Sequence, residues 1–245
     1  MSGILAVIPA RYGSTRLPGK PLALLRGKPV IQHVYEGVRQ AKRVTEIVVA
    51  TDDKRIVQAV EACGGKAVMT SPDARSGTDR VAEVARSRGE RVVINVQGDE
   101  PLVCGEMVDA LASFLEAEAS VPMASLMTRL RRDEDWGNPN IVKVVVDREG
   151  FALYFSRAGI PYQRDNPPKR RPSEFAFKHL GLYGYQRDFL LRFAALDPTG
   201  LEMLEQLEQL RALEFGYRIK LLETRHDSVG VDTPADLAAV ESLIK

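Results

Sequence analysis

A loop rich in glycine and cations follows the first apolar segment of the chain. Residues 9–21 read PARYGSTRLPGKP and come directly after the apolar run ILAVI at 4–8, which predicts a strand. Glycines let backbone N–H groups approach an anion closely, and successive N–H groups form an anion-binding nest. Arg11, Arg16 and Lys20 add charge-assisted donors, the arginines as planar forks and the lysine as a point charge. The segment therefore predicts a strand that ends in a polyphosphate-binding loop.

Two well-known phosphate loops do not fit this segment. A Walker loop has four residues between its glycines and a Ser or Thr after the Gly-Lys pair. Here five residues separate Gly13 from Gly19, and Pro21 follows Lys20. The dinucleotide fingerprint G-x-G-x-x-G is absent after the strand, so no hydride-transfer cofactor is indicated. A surface connection with solvated charges is the alternative, but this combination of residues favours a phosphate loop of another kind.

Composition limits the class of protein. At 245 residues the chain can bury a large core, and its formal net charge of +1 argues against a nucleic-acid partner. No apolar run approaches the roughly 20 residues that span a bilayer, and we expect neither a signal peptide nor membrane insertion. Cys63 and Cys104 have neither metal-ligand spacing nor a pairing framework. Two free thiols in a reducing cytoplasm are the simplest interpretation.

The first half of the chain alternates between strand and helix patterns. Apolar residues recur at helical spacing in 53–63, and the run 91–96 is almost continuously apolar, as in a strand that is buried on both faces. This alternation predicts an α/β fold with a doubly wound, mostly parallel sheet, whose ligands bind at the carboxyl ends of the strands. We predict strands at 4–8, 44–50, 67–69 and 91–96, and helices at 30–41, 53–63 and 78–88.

The pattern changes near Asn138, where β-type segments become more frequent. Strand patterns at 141–146 and 151–155 flank a polar turn and predict a hairpin. We therefore expect one domain, 1–245, with a β-rich lobe at about 130–185. We also predict a loop at 163–173, strands at 180–185 and 218–223, and helices at 201–215 and 233–243.

Two aspartates stand at strand ends that are predicted to face the phosphate loop. Asp99 follows the apolar run 91–96, and Asp232 lies at a second strand-to-helix junction, in the sequence GVDTP. Carboxylates in such positions bind magnesium in nucleotide enzymes. Each has a structural alternative, because Asp also starts turns and caps helices. A cap and a metal ligand are compatible for Asp232, so the pair predicts a Mg²⁺ site.

The run SGTDR at 76–80 opens a predicted helix. The backbone of Gly77 and the hydroxyl of Ser76 could contact the edge of a base or cap the helix. The residues alone favour the capping interpretation.

Four segments together identify a family. They are ARYGSTRLPGKPL at 10–22, SGTDR at 76–80, NVQGDEP at 95–101 and GVDTP at 230–234. With them the chain closely resembles the 3-deoxy-manno-octulosonate (Kdo) cytidylyltransferases, whereas the related sialate cytidylyltransferases carry a different loop ending in Lys-Asn. The stretch 163–173 matches no motif of the family. The resemblance otherwise extends from end to end, through NPN at 138–140, ALYFSR at 152–157, HLG at 179–181, YGY at 183–185 and LEQLR at 207–211.

The resemblance implies a nucleotide-diphospho-sugar transferase fold, with a lobe for dimerisation and sugar binding. It implies a cytoplasmic homodimer that uses Mg²⁺ to convert CTP and Kdo to CMP-Kdo and diphosphate for lipopolysaccharide biosynthesis. Lys20 and Arg11 would hold the triphosphate, and Asp99 and Asp232 would bind the metal; these four form the catalytic set. The other residues that would contact the nucleotide are Ala10, Gly13, Ser14, Ser76, Gly77 and Gln97. Those that would contact the sugar are Arg16, Arg157, His179, Tyr183, Tyr185, Glu208 and Gln209.

The residues alone leave the sugar side open. A single histidine such as His179 is usually structural, and Arg157 fits an ion pair as well as a substrate carboxylate. Glu208 and Gln209 fit solvent as well as sugar hydroxyls.

Two other functions compete with this one. A cytidylyltransferase for a related acid sugar, such as 8-amino-Kdo or a sialic acid, would keep the same phosphate and metal residues. A non-catalytic nucleotide-binding protein on the same fold would predict the loss of a metal carboxylate or of the loop lysine. The chain keeps Lys20, Asp99 and Asp232, which favours the enzyme.

Overall fold

A nine-stranded sheet forms the centre of the molecule. The computed structural model describes residues 3–13, 16–165 and 174–244. The strands of the sheet and of a small separate hairpin (β2 and β3) are β1 (Ile4–Ala10), β2 (Leu24–Leu25), β3 (Lys28–Pro29), β4 (Glu46–Thr51), β5 (Ala67–Met69), β6 (Val92–Val96), β7 (Met123–Arg129), β8 (Lys143–Val146), β9 (Ala152–Ser156), β10 (Phe177–Gln186) and β11 (Ile219–Glu223).

Helices connect the strands and cover the sheet. Within the described residues, no helix is both long enough and apolar enough to cross a bilayer. The helices are a 3₁₀ turn (Lys20–Leu22), α1 (Val30–Val38), α2 (Lys54–Ala62), α3 (Gly77–Arg86), α4 (Gly105–Ala117), α5 (Asp133–Gly137), α6 (Arg187–Ala194), α7 (Gly200–Glu205), α8 (Gln209–Glu214) and α9 (Pro234–Leu243).

The sheet is mostly parallel, as the sequence predicts. Its main path runs β11-β7-β10-β6-β1-β4-β5, and β8 and β9 extend from β10. Along this path β10 is antiparallel to both of its neighbours, and the other pairs are parallel. In the pairing of β1 with β6, Val7 lies opposite Asn95. The loop after β1 and the turn after β6 therefore leave the same edge of the sheet side by side.

Alternate side chains of β1 enter two different cores. Ile4, Ala6 and Ile8 join a core on one face of the sheet with residues of α1, α2 and α4. Leu5 and Val7 join a core on the opposite face with residues of α3, α6 and α8. Both sides of the strand are buried, which explains its continuous apolar run. The doubly wound α/β architecture is confirmed.

The predicted hairpin is also confirmed, as β8 and β9. It joins the sheet where Lys178 of β10 lies opposite Lys143 of β8. The Lys143 side chain is fully buried, and its ammonium donates hydrogen bonds to the backbone carbonyls of Asn138, Ile141 and Arg157 at 2.5–2.7 Å. Burial lowers the pKa of Lys143 below its usual value. This buried cation therefore holds the two ends of the hairpin together.

The single helix predicted over 201–215 is wrong. Gln206 adopts the left-handed conformation, with φ 53° and ψ 47°, and ends α7 before α8 begins. The leucines continue at helical spacing through this break, so their periodicity conceals it. The break also divides their environments, because Leu204 is 84% exposed whereas Leu210 is fully buried.

His179 lies buried in β10, between the aromatic rings of Phe155 and Tyr183. Its Nε2 atom is 2.8 Å from the hydroxyl oxygen of Ser125 in β7. Burial lowers the pKa of His179 from 6.5 to about 3, so the imidazole is neutral at physiological pH. The folded protein thus excludes a proton that the unfolded chain accepts.

We expect His179→Gln to reduce the acid sensitivity of folding. With a folded-state pKa of about 3 and an unfolded-state value of 6.5, this group costs no stability above pH 6.5 and destabilises the fold progressively as the pH falls towards 3. The slope is at most about 1.4 kcal/mol per pH unit. Denaturant unfolding of the wild type and the variant between about pH 7 and pH 4.5 measures it. Ser125→Ala is the control, because it removes the hydrogen-bond partner but no titrating group. Parallel pH dependences for wild type and His179→Gln would contradict the expectation.

Candidate active site

A cleft of about 580 Å³ lies at the carboxyl edge of the sheet, beside the ends of β1 and β6. Its walls are the loop after β1, the start of α3, the turn after β6 and the segment before α9. Ser14, which was predicted to bind the nucleotide, lies outside the described residues. The predicted catalytic, nucleotide-binding and sugar-binding residues that line the cleft are Ala10, Arg11, Gly13, Arg16, Lys20, Ser76, Gly77, Gln97, Asp99 and Asp232.

The phosphate loop is closed at its base by backbone hydrogen bonds. The Gly19 N–H donates to the carbonyl of Tyr12 at 3.1 Å, and the Lys20 N–H donates to the carbonyl of Leu17 at 3.1 Å. Gly19 has a φ of +69°, which a residue with a side chain rarely adopts. The guanidinium of Arg55 stacks on the Tyr12 ring, 3.4 Å from its centroid. These contacts direct the Lys20 side chain into the cleft.

Lys20 stands between the two predicted metal ligands. Its Nζ atom lies 2.5 Å from Asp99 Oδ2 and 3.0 Å from Asp232 Oδ1, and Arg16 Nη2 lies 3.0 Å from Asp232 Oδ2. Burial opposes the charge of the ammonium, but the carboxylates of Asp99 and Asp232 outweigh it and raise the pKa of Lys20. Burial likewise opposes the charge of Asp232, but Lys20 and Arg16 lower its pKa. Lys20 and Asp232 are therefore both charged at physiological pH.

The carboxylate of Asp232 is not used to cap the following helix. Thr233 is the N-cap of α9, and its hydroxyl accepts a hydrogen bond from the Asp236 N–H at 3.2 Å. The Asp236 carboxylate in turn accepts a hydrogen bond from the Thr233 N–H, which completes a capping box. The Asp232 carboxylate therefore lines the cleft and does not cap α9.

The donor set fits magnesium that arrives with a polyphosphate. Within the described residues, no group of three or more His, Cys, Asp or Glu side chains could hold a metal ion by itself. Mg²⁺ is commonly bound by one or two carboxylates together with substrate phosphates and water. Asp99 and Asp232 converge on one ammonium and supply such a pair of carboxylates.

Two tight contacts bring Asp99 to this position. The Val231 N–H donates to the Asp99 carbonyl at 2.8 Å and ties the segment before α9 to the turn after β6. Gly98 packs against β1, since a Cβ atom there would lie 2.7 Å from the carbonyl oxygen of Pro9. Beside Asp99, the buried Glu100 accepts a hydrogen bond from the Ser228 hydroxyl, and burial raises the pKa of Glu100 to about 7. Sequence analysis assigned no role to Glu100 or Ser228.

Ser76 confirms the capping interpretation, whereas contact of Ser76 or Gly77 with a base stays a prediction. Ser76 caps α3, because its hydroxyl accepts a hydrogen bond from the Asp79 N–H at 3.1 Å, and it also lines the cleft. A Cβ atom on Gly77 would lie 3.3 Å from Gln97 Oε1, so the turn and the glutamine face each other closely. This pair forms part of the wall of the cleft.

Several of the residues predicted to contact the sugar lie close together, because the Tyr183 ring centroid is 5.4 Å from that of His179 and 6.2 Å from that of Tyr185. Arg157 donates hydrogen bonds to the backbone carbonyls of Glu205, Pro139 and Gln206, at 2.8, 3.2 and 3.4 Å. Gln209 is buried near the start of α8. His179 is buried against Ser125, as described above.

Three more of these residues lie under the start of α3. Tyr185 is 1% exposed and stacks near the rings of Phe189 and Phe193, and Tyr183 packs beside it. Glu208 accepts hydrogen bonds from hydroxyls of the α3 N-terminus. Of the seven residues predicted for the sugar, Arg16 is the one that lines the described cleft.

Sequence analysis also missed two arginines that line the cleft. Arg80 is 3% exposed and donates to Asp52 Oδ2 at 2.5 Å and to Thr70 Oγ1 at 2.8 Å. Arg75 lies at the mouth beside Ser76. Arg80 belongs to the SGTDR segment and could have been found there, because an arginine one helical turn after a glycine-containing cap points back to the cap.

The fold and the cleft together define a nucleotidyltransferase-like α/β protein. A family model described as Cytidylyltransferase matches residues 5–219. Curated relatives named 3-deoxy-manno-octulosonate cytidylyltransferase, from Geobacter sulfurreducens and Syntrophus aciditrophicus, are each 52% identical to the chain; the alignments cover 99% and 100% of it, and 99% and 98% of the relatives. The chain belongs to the 3-deoxy-manno-octulosonate cytidylyltransferase family, which confirms the resemblance seen in the sequence.

Solved structures agree with this assignment. A structure described as CMP:2-keto-3-deoxy-manno-octonic acid synthetase complexed with CTP superposes with a TM-score of 0.91 at 45% identity, over 99% of this chain and 98% of the other. A 4-diphosphocytidyl-2C-methyl-D-erythritol synthase from Anaerococcus prevotii gives a TM-score of 0.66 at 13% identity, over 99% of this chain and 96% of the other. The second likeness shows a shared fold.

Proposed function

We propose that the chain transfers the cytidylyl group of CTP to Kdo, giving CMP-Kdo and diphosphate for lipopolysaccharide biosynthesis. The observation that carries this proposal is the Lys20 ammonium at the end of the phosphate loop, held between the carboxylates of Asp99 and Asp232. A relative of 45% identity and the same fold is described in complex with CTP. The family name supplies the sugar.

The reaction needs positioned charge rather than a covalent enzyme intermediate. The anomeric 2-hydroxyl oxygen of Kdo forms a bond to the α-phosphorus of CTP, and the bond from that phosphorus to the bridging oxygen breaks. Diphosphate leaves in line, and the hydroxyl proton passes to solvent. Lys20 and Arg11 line the cleft, where they neutralise the charge that grows on the leaving group.

Asp99 and Asp232 are the residues that would hold magnesium. Bound there, the ion would polarise a phosphoryl oxygen as a Lewis acid. The two carboxylates already converge on a cation, Lys20 Nζ. On the sugar side, the exposed guanidinium of Arg16 is the cation in the cleft that is best placed to bind the Kdo carboxylate.

Diphosphate release tests the function. The purified protein is incubated with Mg²⁺ and CTP in parallel reactions with Kdo, 8-amino-Kdo and a sialic acid. We expect release with Kdo. Diphosphate release with only one of the other acids would leave the phosphate and metal assignments in place and overturn Kdo as the substrate. No release with any acid, despite measurable CTP binding, would support a non-catalytic nucleotide-binding protein.

Asp99→Asn tests the metal assignment. The substitution keeps the shape and a neutral oxygen but removes the charge that would bind Mg²⁺, so we expect kcat to fall by roughly two to four decades. Asp188→Asn is the matched control, because the Asp188 side chain is 84% exposed and lies on α6. Turnover of Asp99→Asn close to that of the control would contradict the assignment, provided that both variants unfold at similar temperatures.

We also propose a homodimer, formed through the face around β9 and α7. The two elements are joined by the Ser156 hydroxyl, which donates to Glu205 Oε1 at 2.6 Å. They expose large apolar side chains, with Leu153 62%, Met203 58% and Leu204 84% exposed. Large exposed apolar side chains of this kind favour protein contact. A cytoplasmic site of action agrees with CTP as substrate and with the free thiols of the two cysteines.

Leu204→Asp should weaken this dimer. Light scattering coupled to size exclusion is expected to give twice the chain mass of 27.1 kDa for the wild type and the monomer mass for the variant at micromolar concentration. Leu24→Asp is the control, because Leu24 is similarly exposed but lies on the β2–β3 hairpin. A monomeric wild type, or a variant as dimeric as the control, would contradict the proposed face.

A further inference from the structure

The last helix, α9, packs against a small third core that is separate from the two cores of the sheet. Its fully buried members are Leu25, Val30, Val231 and Val240. They come from the β2–β3 hairpin, the start of α1, the segment before α9 and α9 itself. Among the residues of α9, all of which the structure describes, Val240 alone is buried. Because so little of α9 is buried, its docking also depends on polar contacts at its ends.

Arg26, in the turn of the β2–β3 hairpin, contacts the C-terminal end of α9. Its Nη2 atom donates hydrogen bonds to the carbonyls of Ile244 and Glu241, at 3.1 and 3.3 Å, and its Nε atom lies 3.4 Å from the second of these. Its backbone N–H donates to Glu241 Oε1 at 3.3 Å. The last carbonyls of a helix lack partners within the helix and carry partial negative charge. The Arg26 guanidinium therefore supplies both a donor and a positive charge where α9 needs them.

The backbone of the hairpin turn is unusual at Arg26. Leu25 pairs with Lys28, so Arg26 and Gly27 form a two-residue turn, with φ values of 49° and 77°. Positive φ at both residues is the pattern of the type I′ turn, which favours Asn or Gly at the first position. Apart from glycines, Arg26 and Gln206 are the residues with positive φ in the part of the chain that the structure describes. An arginine disfavours the turn itself, which indicates a role for its side chain.

The segment that carries Arg26 also contacts the other end of α9. Lys20 Nζ lies 3.0 Å from Oδ1 of Asp232, the residue directly before the N-cap of α9. The Asp232 N–H donates to Asp236 Oδ2 in the first turn of α9 at 3.1 Å, so the helix sets the position of the Asp232 backbone. Residues 20–26 therefore contact α9 at both ends, with Lys20 in the cleft and Arg26 at the far end.

We propose that Arg26 is a positioning residue for Asp232. By docking α9 on the β2–β3 hairpin, Arg26 keeps the Asp232 carboxylate beside Lys20 in the cleft. When α9 undocks, the Asp232 side chain and the Val231 N–H lose their positions together. No residue of α9 belongs to either core of the sheet, so undocking leaves the rest of the fold intact. The inference rests on the proposed function in one respect, that Asp232 helps to bind Mg²⁺ together with CTP.

Nucleotide binding makes the Arg26 contact more important. Under the proposed function, Lys20 binds the triphosphate and shares its ammonium between the phosphates and Asp232. Arg26 then remains as the cation that holds the far end of α9. Because Asp232 reaches the cleft only when α9 is docked, the apparent affinity for Mg²⁺ falls in proportion to the docked fraction.

Arg26→Asn gives the sharpest test, because asparagine suits the type I′ turn but lacks the guanidinium. Hydrogen exchange is measured by mass spectrometry on the free, full-length protein. We expect peptides of α9 to exchange at least about tenfold faster in the variant, and peptides of β1 and β6 to exchange as in the wild type.

Two further variants accompany this comparison. Arg148→Asn is the matched control, since Arg148 is an exposed arginine in the turn between β8 and β9, and it should leave the exchange of α9 unchanged. Arg26→Lys keeps the charge but replaces the planar fork by a single ammonium, so its effect should lie between those of the wild type and Arg26→Asn.

The Mg²⁺ dependence tests the link to Asp232. In the wild type, CTP with Mg²⁺ should slow the exchange of α9 more than CTP with EDTA does. Arg26→Asn should need at least about twofold more Mg²⁺ for half of that protection and for half-maximal diphosphate release with Kdo. Its kcat at saturating Mg²⁺ should stay within about twofold of the wild type. A merely structural role predicts a lower melting temperature with no change in the Mg²⁺ dependence.

The outcomes separate this inference from the proposed function. Equal exchange of α9 in Arg26→Asn and the wild type would overturn it, as would faster exchange with an unchanged Mg²⁺ dependence. If Arg26→Asn does not fold, Arg26→Lys and Val240→Ala carry the same test, because each weakens the docking of α9 through a different contact. If the wild type binds CTP but releases no diphosphate with any sugar, the proposed function fails, and the protection of α9 by Mg²⁺ and CTP still decides the role of Arg26.

Discussion

The contact of Lys20 with Asp99 and Asp232 is the constraint on which the site depends. Two carboxylates in one cleft repel each other, and a single ammonium at 2.5 and 3.0 Å removes that repulsion in the free protein. The three residues come from the phosphate loop, the turn after β6 and the segment before α9, so the contact also joins three of the four walls of the cleft. The free protein therefore holds the groups proposed for catalysis in place before substrate arrives.

The strand register and the backbone contacts at the strand ends position the three residues of that contact. The register that places Val7 opposite Asn95 brings the ends of β1 and β6 to the same level. Gly98 then lets the turn after β6 approach the Pro9 carbonyl more closely than any side chain would allow. The Val231 N–H bond to the Asp99 carbonyl adds the third segment. The precision of the site thus comes from backbone contacts at strand ends, which are rigid, rather than from the long side chains themselves.

Sequence reasoning predicted the features that depend on local pattern. The strand ends predicted Lys20 and Asp99, because parallel strands bring their carboxyl ends to one edge of the sheet. The predicted strand end before Asp232 is wrong, since Asp232 lies in the loop between β11 and α9. The break at Gln206 was not predictable, because glutamine is uncommon in the left-handed conformation and the leucines continue past it. The contact of Glu208 with Ser76 joins residues 132 positions apart, and no spacing rule reports such a partner. The family resemblance assigned Glu208 to the sugar but gave no information about its hydrogen bonds to Ser76 and Thr78.

The side chains on the nucleotide side of the site are already held by hydrogen bonds, whereas those on the sugar side must exchange partners when a ligand binds. On the nucleotide side, Gln97, Ser76 and Lys20 are each fixed by partners within the protein. On the sugar side, the Arg157 guanidinium donates hydrogen bonds to three backbone carbonyls, and the Arg157 carbonyl accepts one from the buried Lys143. A sugar carboxylate that binds Arg157 must displace those carbonyls, whereas one that binds Arg16 needs only to compete with Asp232. Under the proposed metal assignment, a triphosphate with its metal would engage Asp232, and nucleotide binding would release Arg16 for the sugar. This coupling favours CTP as the first substrate to bind.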